Sequence, residues 1–127
     1  MSRSRAQEWS KRAFASVRAM KAPGIEKSDA SKYRTACMKM PGLVHQSGLL
    51  QSLVFMVARD AQGARYADDL AAALAPGEDH EELIARAQAA PLVSYLALTR
   101  DVLEVAQWLR RFAQIELAQN EPGDARG

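Results

Sequence analysis

Lysine and arginine residues recur at intervals of seven in the first third of the chain, as in the pairs Lys32/Lys39 and Lys11/Arg18. Residues seven apart on an α-helix share one face and lie about 10.5 Å from each other along its axis. A row of cations suits a phosphate backbone, which proteins bind mainly through charge. The alternative is a face that is merely solvated. Because the rows cluster at one end of the chain, we predict nucleic-acid binding that is sensitive to salt and weakly selective for sequence.

Charge is divided unevenly along the chain, although the formal net charge is only +2. Residues 1–39 contain ten Lys/Arg and three Asp/Glu, whereas residues 40–127 contain seven and twelve. A basic end and an acidic remainder on one small chain favour head-to-tail association of copies. We therefore expect Asp68 and Asp69, from the acidic middle, to lie at an interface between subunits.

Residues that could support catalysis or hold a metal are few and scattered. The chain has two histidines, His45 and His80, and one cysteine, Cys37. The histidines form neither an HExxH nor an H-x₃-H arrangement. The sequence also lacks a Walker loop, a GxGxxG and a GxSxG motif. We expect no enzymatic activity, no metal site and no cofactor.

Three features bear on the compartment. Cys37 has no cysteine partner, which suits a reducing environment, and its predicted helix places it inward as a small hydrophobe. The longest uncharged stretch, residues 40–58, is too polar to span a membrane. The first twenty residues contain five cations and no apolar core of the kind found in signal peptides. A cytoplasmic protein is predicted.

Composition and pattern favour a bundle of helices. The 127 residues include 24 alanines and 13 leucines, both of which lose little conformational freedom on entering a helix. Six helical segments are predicted, beginning at about residues 4, 28, 43, 65, 79 and 91. Pro41-Gly42 is expected to end the second helix and to separate it from the third. The prediction is an all-α, single-domain bundle over residues 1–119, with a central apolar helix, a long C-terminal helix and a flexible tail over 120–127.

The predicted third helix, residues 43–60, is apolar around more than half of its circumference. It should therefore contact neighbours on several sides. The remaining strip contains His45, Gly48, Ser52 and Arg59. The strip either packs tightly against another helix or follows a phosphate backbone, with His45 and Arg59 as donors.

Two pairs of residues stand out on the predicted last helix. Trp108 and Ile115 fall off its inward apolar stripe, which indicates either contact with another chain or a second neighbour within the fold. Arg110 is expected on the inward side, snorkelling or paired with an acid. Arg111 is expected to point outward, where it can contact a polyanion.

Several segments together resemble a known family. Tyr33, residues 39–41 (KMP) and residues 48–56 (GLLQSLVFM) resemble the middle of the small helical subunit of the type III-B CRISPR effector, the Cmr complex. Residues 95–100 (YLALTR) and 108–113 (WLRRFA) resemble the C-terminal helix of that family. The segments span most of the domain and occur in the family's order.

The resemblance implies a non-catalytic subunit of an RNA-guided, RNA-targeting complex. Members of the family stack in copies beside the backbone subunits that hold the guide RNA, and they help to form the channel for the single-stranded target RNA. Cleavage belongs to other subunits. The related small subunit of the type III-A (Csm) complex has the same role, and the helix after Pro41 favours Cmr.

Candidate RNA contacts follow from the resemblance and from charge. Lys39 and Arg111 lie within or beside the matched segments and come first. The further candidates are Arg110, His45 and Arg59, and then, from charge alone, Lys11, Arg18 and Lys32.

Two other classes of function are compatible with a small helical protein. A free-standing DNA-binding regulator would place one helix in a major groove, but no pair of predicted helices has a helix-turn-helix signature. An adaptor that binds only protein would show no salt-dependent affinity for RNA.

Overall fold

A computed structural model describes residues 4–117 of the chain. It contains six α-helices and, within that range, no strand. The helices are α1 (Arg5–Ala19), α2 (Lys27–Ser47), α3 (Leu49–Arg59), α4 (Ala61–Leu74), α5 (His80–Ala89) and α6 (Leu92–Glu116). The predicted single all-α domain with a long C-terminal helix is confirmed. The predicted end of the last helix at 119 and the tail over 120–127 lie outside the described residues.

Two helix starts follow local sequence rules. Ser4 caps α1: its hydroxyl accepts the N–H of Gln7 at 3.2 Å, and the Gln7 side chain accepts the N–H of Ser4 at 2.8 Å. Asp79 and Glu82 make the same reciprocal pair at the start of α5, both at 3.0 Å. Such capping boxes satisfy two backbone donors that the first helical turn leaves unpaired.

The predicted break at Pro41-Gly42 is wrong, because α2 continues through both residues to Ser47. The Pro41 ring is buried, so its packing in the core offsets the missing backbone hydrogen bond. The chain turns instead at Gly48, whose φ of +83° and ψ of 167° are essentially confined to glycine. The hydroxyl of Tyr95 in α6 then accepts the N–H of Leu50 at 3.1 Å and caps the first turn of α3.

The start of α4 also differs from the prediction. Asp60 is the N-cap of α4 and accepts the N–H of Gly63 at 2.7 Å, so the helix begins at Ala61 rather than near Arg65. A single residue in an extended conformation, Asp60, separates α3 from α4. Because the connection is so short, the ends of the two helices lie close together.

The most central helix is α4, which contacts each of the other five. α3 packs chiefly on α2, α4 and α5, and its outer face exposes Val54 and Phe55. It is less central than its apolar composition suggested, because residues 43–47 of the predicted apolar helix belong to α2.

α1 lies parallel to α6. Arg5 near the start of α1 pairs with Asp101 at 3.3 Å, and Lys21 just beyond its end pairs with Glu116 at 3.1 Å. None of the helices within residues 4–117 is long and apolar enough to cross a membrane.

Candidate nucleic-acid interface

α2 and α3 form an antiparallel hairpin with one basic face. Lys32 and Lys39 lie on the same side of α2, and both side chains are exposed. At the far end of α3, the Arg59 guanidinium donates to the carbonyl of Lys32 at 3.3 Å. The hairpin therefore places Arg59 of α3 beside the backbone of Lys32, and Lys39 lies two turns further along the same side of α2.

Arg59 is tied into the fold more firmly than the two lysines. Its Nε donates to Asp60 Oδ2 at 3.0 Å, while its buried Nη1 has no hydrogen-bond partner among the described residues. The pKa of Asp60 lies below its ordinary value, chiefly because the carboxylate accepts the N–H of Gly63 and secondarily because Arg59 is beside it. The positive charge at this end of the face is thus partly neutralised, and Lys39 offers the more available cation.

Lys39 lines a shallow groove of about 320 Å³ between α2 and α3. The other lining residues are Gly42, Leu43 and Gln46 from α2 and Phe55 from α3. The Phe55 residue is 46% exposed. Sequence reasoning missed Phe55 as a site residue because it counted the ring among the apolar residues of the predicted third helix, which was expected to contact neighbours on several sides. The detectable signal is its offset of about 100° or more around the helix from the buried Leu53 and Met56.

The predicted strip of His45, Gly48, Ser52 and Arg59 is not a continuous surface, so the strip as a whole does not follow a phosphate backbone. The alternative, packing within the fold, holds for Ser52. The turn at Gly48 separates His45, exposed on α2, from the other residues on α3. Ser52 is fully buried, and its hydroxyl donates to the carbonyl of Gly48 at 2.6 Å. His45 remains an RNA-contact prediction by itself, about 120° around α2 from Lys39.

A second basic surface lies on α6. Arg111 is exposed, and Arg110 is half-buried. Both line a polar pocket of about 240 Å³ together with Gln107 and Gln114. Arg110 forms no ion pair with any acid in residues 4–117, and its buried Nε has no acceptor there. The burial of the two arginines agrees with the sequence expectation, since Arg110 is the more inward and Arg111 the outward side chain, and both border the same pocket.

Trp108 and Ile115 have different environments. The Trp108 ring is half-buried and stacks on Phe112 at 5.7 Å between centroids, and Phe112 in turn meets Phe14 edge-on at 5.1 Å. The ring contact of Trp108 is thus to a residue of its own helix, and contact of Trp108 with another chain stays a prediction. Ile115 is 72% exposed and is the better candidate for contact with another chain.

The basic row on α1 is largely used within the molecule. The Nε of Arg18 lies 3.8 Å from Oε1 of Glu116 on α6, and Arg12 donates to the carbonyl of Ala73 on α4 at 2.7 Å. These contacts hold α1 against its neighbours. Lys11 is exposed and forms no ion pair with residues in the described range, so it is the member of this row most available to a polyanion.

Asp68 and Asp69, the predicted interface acids, both have partners inside the chain. Asp68 accepts the backbone N–H of His80 at 2.9 Å, and its carboxylate lies 2.7 Å from Nδ1 of the same residue. Asp69 accepts the hydroxyl of Tyr33 at 2.6 Å, and burial raises the pKa of this carboxyl above its ordinary value. Their interface role stays a prediction.

Few side chains among the described residues are placed to hold a metal ion or to act as a nucleophile. No group of three or more His, Cys, Asp or Glu side chains in residues 4–117 is placed to hold a metal ion. Cys37 is buried, as predicted from its position on the helix. Burial raises the pKa of its thiol far above the ordinary value, which leaves it protonated and weakly nucleophilic.

Comparison with known proteins agrees with the helical architecture. The family model described as CRISPR-associated protein (Cas_Cmr5) matches residues 5–116. The CRISPR system Cmr subunit Cmr5 of Thermus thermophilus is 40% identical over 114 residues, which cover 88% of this chain and 95% of the relative. A crystal structure of a CRISPR-associated Cmr5 family protein, also from Thermus thermophilus, is 39% identical, with a TM-score of 0.81 over 91% of this chain and 99% of that chain.

The family match covers nearly all of the described residues, and the sequence and structural relatives agree with it. The resemblance to the Cmr small subunit is thereby confirmed: the chain belongs to the CRISPR-associated Cmr5 family.

Proposed function

We propose that this chain is a non-catalytic structural subunit of a cytoplasmic type III-B Cmr ribonucleoprotein that acts in antiviral defence. In this role it assembles with the other Cmr subunits and with copies of itself, and it helps to form the channel for the single-stranded target RNA opposite the guide RNA. Membership of the Cmr5 family supports the assignment, since the relative from Thermus thermophilus is named as a Cmr subunit.

One observation carries the RNA-binding part of the proposal: Lys32 and Lys39 are exposed, aligned on one face of α2, and form no ion pair with residues in the described range. The arginines of α1, by contrast, are engaged by acids or carbonyls of their own chain. Cations without an internal partner keep their full charge for a phosphate backbone. Arg111 and Arg110 form a second, smaller basic surface for the same strand or for a neighbouring subunit.

Association with further copies rests on exposed groups of opposite character. Glu81 at the start of α5 is exposed, and so is Glu82, although one of its carboxylate oxygens accepts the N–H of Asp79. Asp68 and Asp69 are only half-exposed, and both are engaged within the chain. The α5 acids therefore complement the basic face of a neighbouring copy more directly than the acids of α4. Ile115 supplies an exposed apolar group for a contact between subunits.

Charge reversal on α2 tests the RNA-binding role. We expect Lys32→Glu/Lys39→Glu to bind a labelled single-stranded RNA about tenfold more weakly than the natural chain, because two phosphate contacts become repulsive. The slope of log affinity against log salt should also become shallower, by about 0.7 for each lost contact. Fluorescence anisotropy of the full chain over a series of salt concentrations measures both quantities.

A control variant with the same change in net charge distinguishes an effect of the α2 face from an effect of net charge alone. Lys27→Glu/Arg100→Glu also reverses two exposed cations but leaves Lys32 and Lys39 in place. It should retain most of the affinity. Equal losses in the two variants, or no loss in the first, would contradict the assignment of the strand to α2. In a reconstituted Cmr complex, the first variant should still be incorporated while target-RNA capture falls.

A further inference from the structure

Phe55 presents an aromatic ring to solvent beside the basic face of α2. Large apolar side chains gain free energy from burial, and α3 does bury Leu49, Leu53 and Met56 completely. The Phe55 residue instead remains 46% exposed and forms one wall of the groove that contains Lys39. Such a ring is available to something outside this chain.

The other walls of the groove have mixed chemistry. Leu43 is apolar, the Gln46 amide can both donate and accept hydrogen bonds, and the Lys39 ammonium is a cation. Gly42 leaves the floor open, since a Cβ at that position would meet nothing within 4 Å. The groove thus combines a flat apolar surface, an amide and a cation, with room for a planar group.

From this juxtaposition we infer that Phe55 stacks on an unpaired nucleobase while Lys39 contacts the adjoining phosphate. Gln46 lies where it can hydrogen-bond the edge of the base. The inference rests on the proposed strand-binding function and adds to it a specific contact that charge alone does not supply. Every base has a π-face, so stacking of this kind tolerates any sequence.

The chemistry of the groove favours a nucleobase over an apolar side chain of a protein partner. Packing a purely apolar partner into the groove would take the Lys39 ammonium out of water without giving it a negative charge. A nucleotide meets both requirements, because its base covers the ring and its phosphate pairs with the lysine. Duplex bases are already stacked on each other and do not expose their faces, so the ligand is single-stranded.

The experiment compares two probes that carry the same number of phosphates. One is a labelled single-stranded oligoadenylate, and the other is an abasic ribose-phosphate oligomer of equal length. We expect the full natural chain to bind the oligoadenylate about fivefold or more tightly, at the lower end of measured base–aromatic stacking. Phe55→Leu keeps an apolar side chain but removes the ring, and should reduce that preference to nearly one.

Two further variants define the contact. Phe55→Trp retains a stacking surface and should keep the preference for bases, with quenching of the new indole fluorescence when the oligoadenylate binds. Lys39→Glu should weaken binding of both probes. Because Phe55 is half-exposed, Phe55→Leu should melt at nearly the same temperature as the natural chain, so a loss of affinity can be assigned to the ring.

Several outcomes would overturn the inference, and they differ from those that overturn the proposed function. Equal affinity of the natural chain for the two probes, or an unchanged preference in Phe55→Leu, removes the base site alone. If neither probe shows salt-dependent binding, the strand-binding function fails and the base site fails with it. If Phe55→Leu binds RNA normally but is excluded from the Cmr complex, the ring contacts protein instead.

Discussion

Gly63→Ala is expected to destabilise the chain by about 3 kcal/mol, the largest effect of any substitution proposed for this protein. A Cβ at position 63 would lie 2.2 Å from the carbonyl oxygen of Met56 and 3.2 Å from its carbonyl carbon. Both atoms belong to the backbone of α3 and cannot rotate away. The start of α4 would have to move, and the hydrogen bond between the Gly63 N–H and Asp60 would be weakened.

Gly42→Ala provides the matched control for this substitution. Gly42 also lies within a helix, but an added Cβ meets nothing within 4 Å. Alanine there should stabilise the chain by up to about 1 kcal/mol, through its higher helix propensity. Thermal unfolding followed by circular dichroism measures both, and the melting temperature of Gly63→Ala should fall by about 10 °C. Similar melting temperatures for the two variants would show that α3 and α4 are not in close contact.

Sequence rules predicted those parts of the fold in which the determining contacts are local. The Ser4/Gln7 and Asp79/Glu82 pairs satisfy backbone donors three residues apart, so the starts of α1 and α5 can be identified from spacing alone. The turn between α2 and α3 could not, because it depends on tertiary contacts. Burial of the Pro41 ring keeps α2 continuous, and a hydroxyl from α6 caps α3.

The candidate site could likewise be predicted only where its residues are identified by local sequence. Lys39 was identified because helical spacing and charge are written in the sequence. Sequence reasoning gave Arg18 a comparable role, but its partner Glu116 lies 98 residues away, and nothing local reveals that pair. Phe55 was missed because an apolar residue in an apolar helix is expected to be buried. Its exposure depends on how α3 is oriented against α2 and α4.

Tyr33→Phe should destabilise the chain by about 2 kcal/mol near neutral pH, the second-largest effect expected. Tyr33 is fully buried, and its hydroxyl donates to Asp69 at 2.6 Å. Removing that hydroxyl leaves a partly buried carboxylate without this donor, and hydrogen bonds to charged groups are worth more than neutral ones. Urea denaturation of the natural chain and the variant measures the difference in unfolding free energy.

The neighbouring Tyr66 offers a control with the same chemical change. Its ring meets Tyr33 edge-on at 6.0 Å between centroids, and its buried hydroxyl has no hydrogen-bond partner within residues 4–117. Tyr66→Phe removes that unpaired hydroxyl and keeps the ring, so it should leave the stability unchanged or raise it slightly. Equal destabilisation by the two substitutions would contradict a specific role for the hydrogen bond from Tyr33 to Asp69.

The stability contributed by this pair should depend on pH with a defined sign. Burial raises the pKa of Asp69 above its ordinary value of 3.8, while the hydrogen bond from Tyr33 opposes that rise. The folded chain therefore binds the Asp69 proton more tightly than the unfolded chain does. At pH values between 3.8 and the pKa of Asp69 in the folded chain, lowering the pH therefore increases the contribution of Asp69 to the free energy of unfolding. Above the folded pKa, the full cost of burying the charged carboxylate is present.

Tyr33→Phe removes the hydrogen bond that favours the charged form, so the pKa of Asp69 should rise further and the loss of stability should be greatest at neutral pH. As the pH falls through that pKa, the carboxyl becomes neutral and the deficit of Tyr33→Phe should shrink to about half, because a neutral hydrogen bond is worth about half as much as a charged one. Asp69→Asn removes the charge but keeps an acceptor for Tyr33. In the Asp69→Asn background, Tyr33→Phe should lower the free energy of unfolding by about 1 kcal/mol at every pH. If Tyr33→Phe instead costs its full neutral-pH value at every pH, both with Asp69 and with Asn at position 69, the substitution disturbs the packing of the ring rather than a hydrogen bond to the ionised carboxylate.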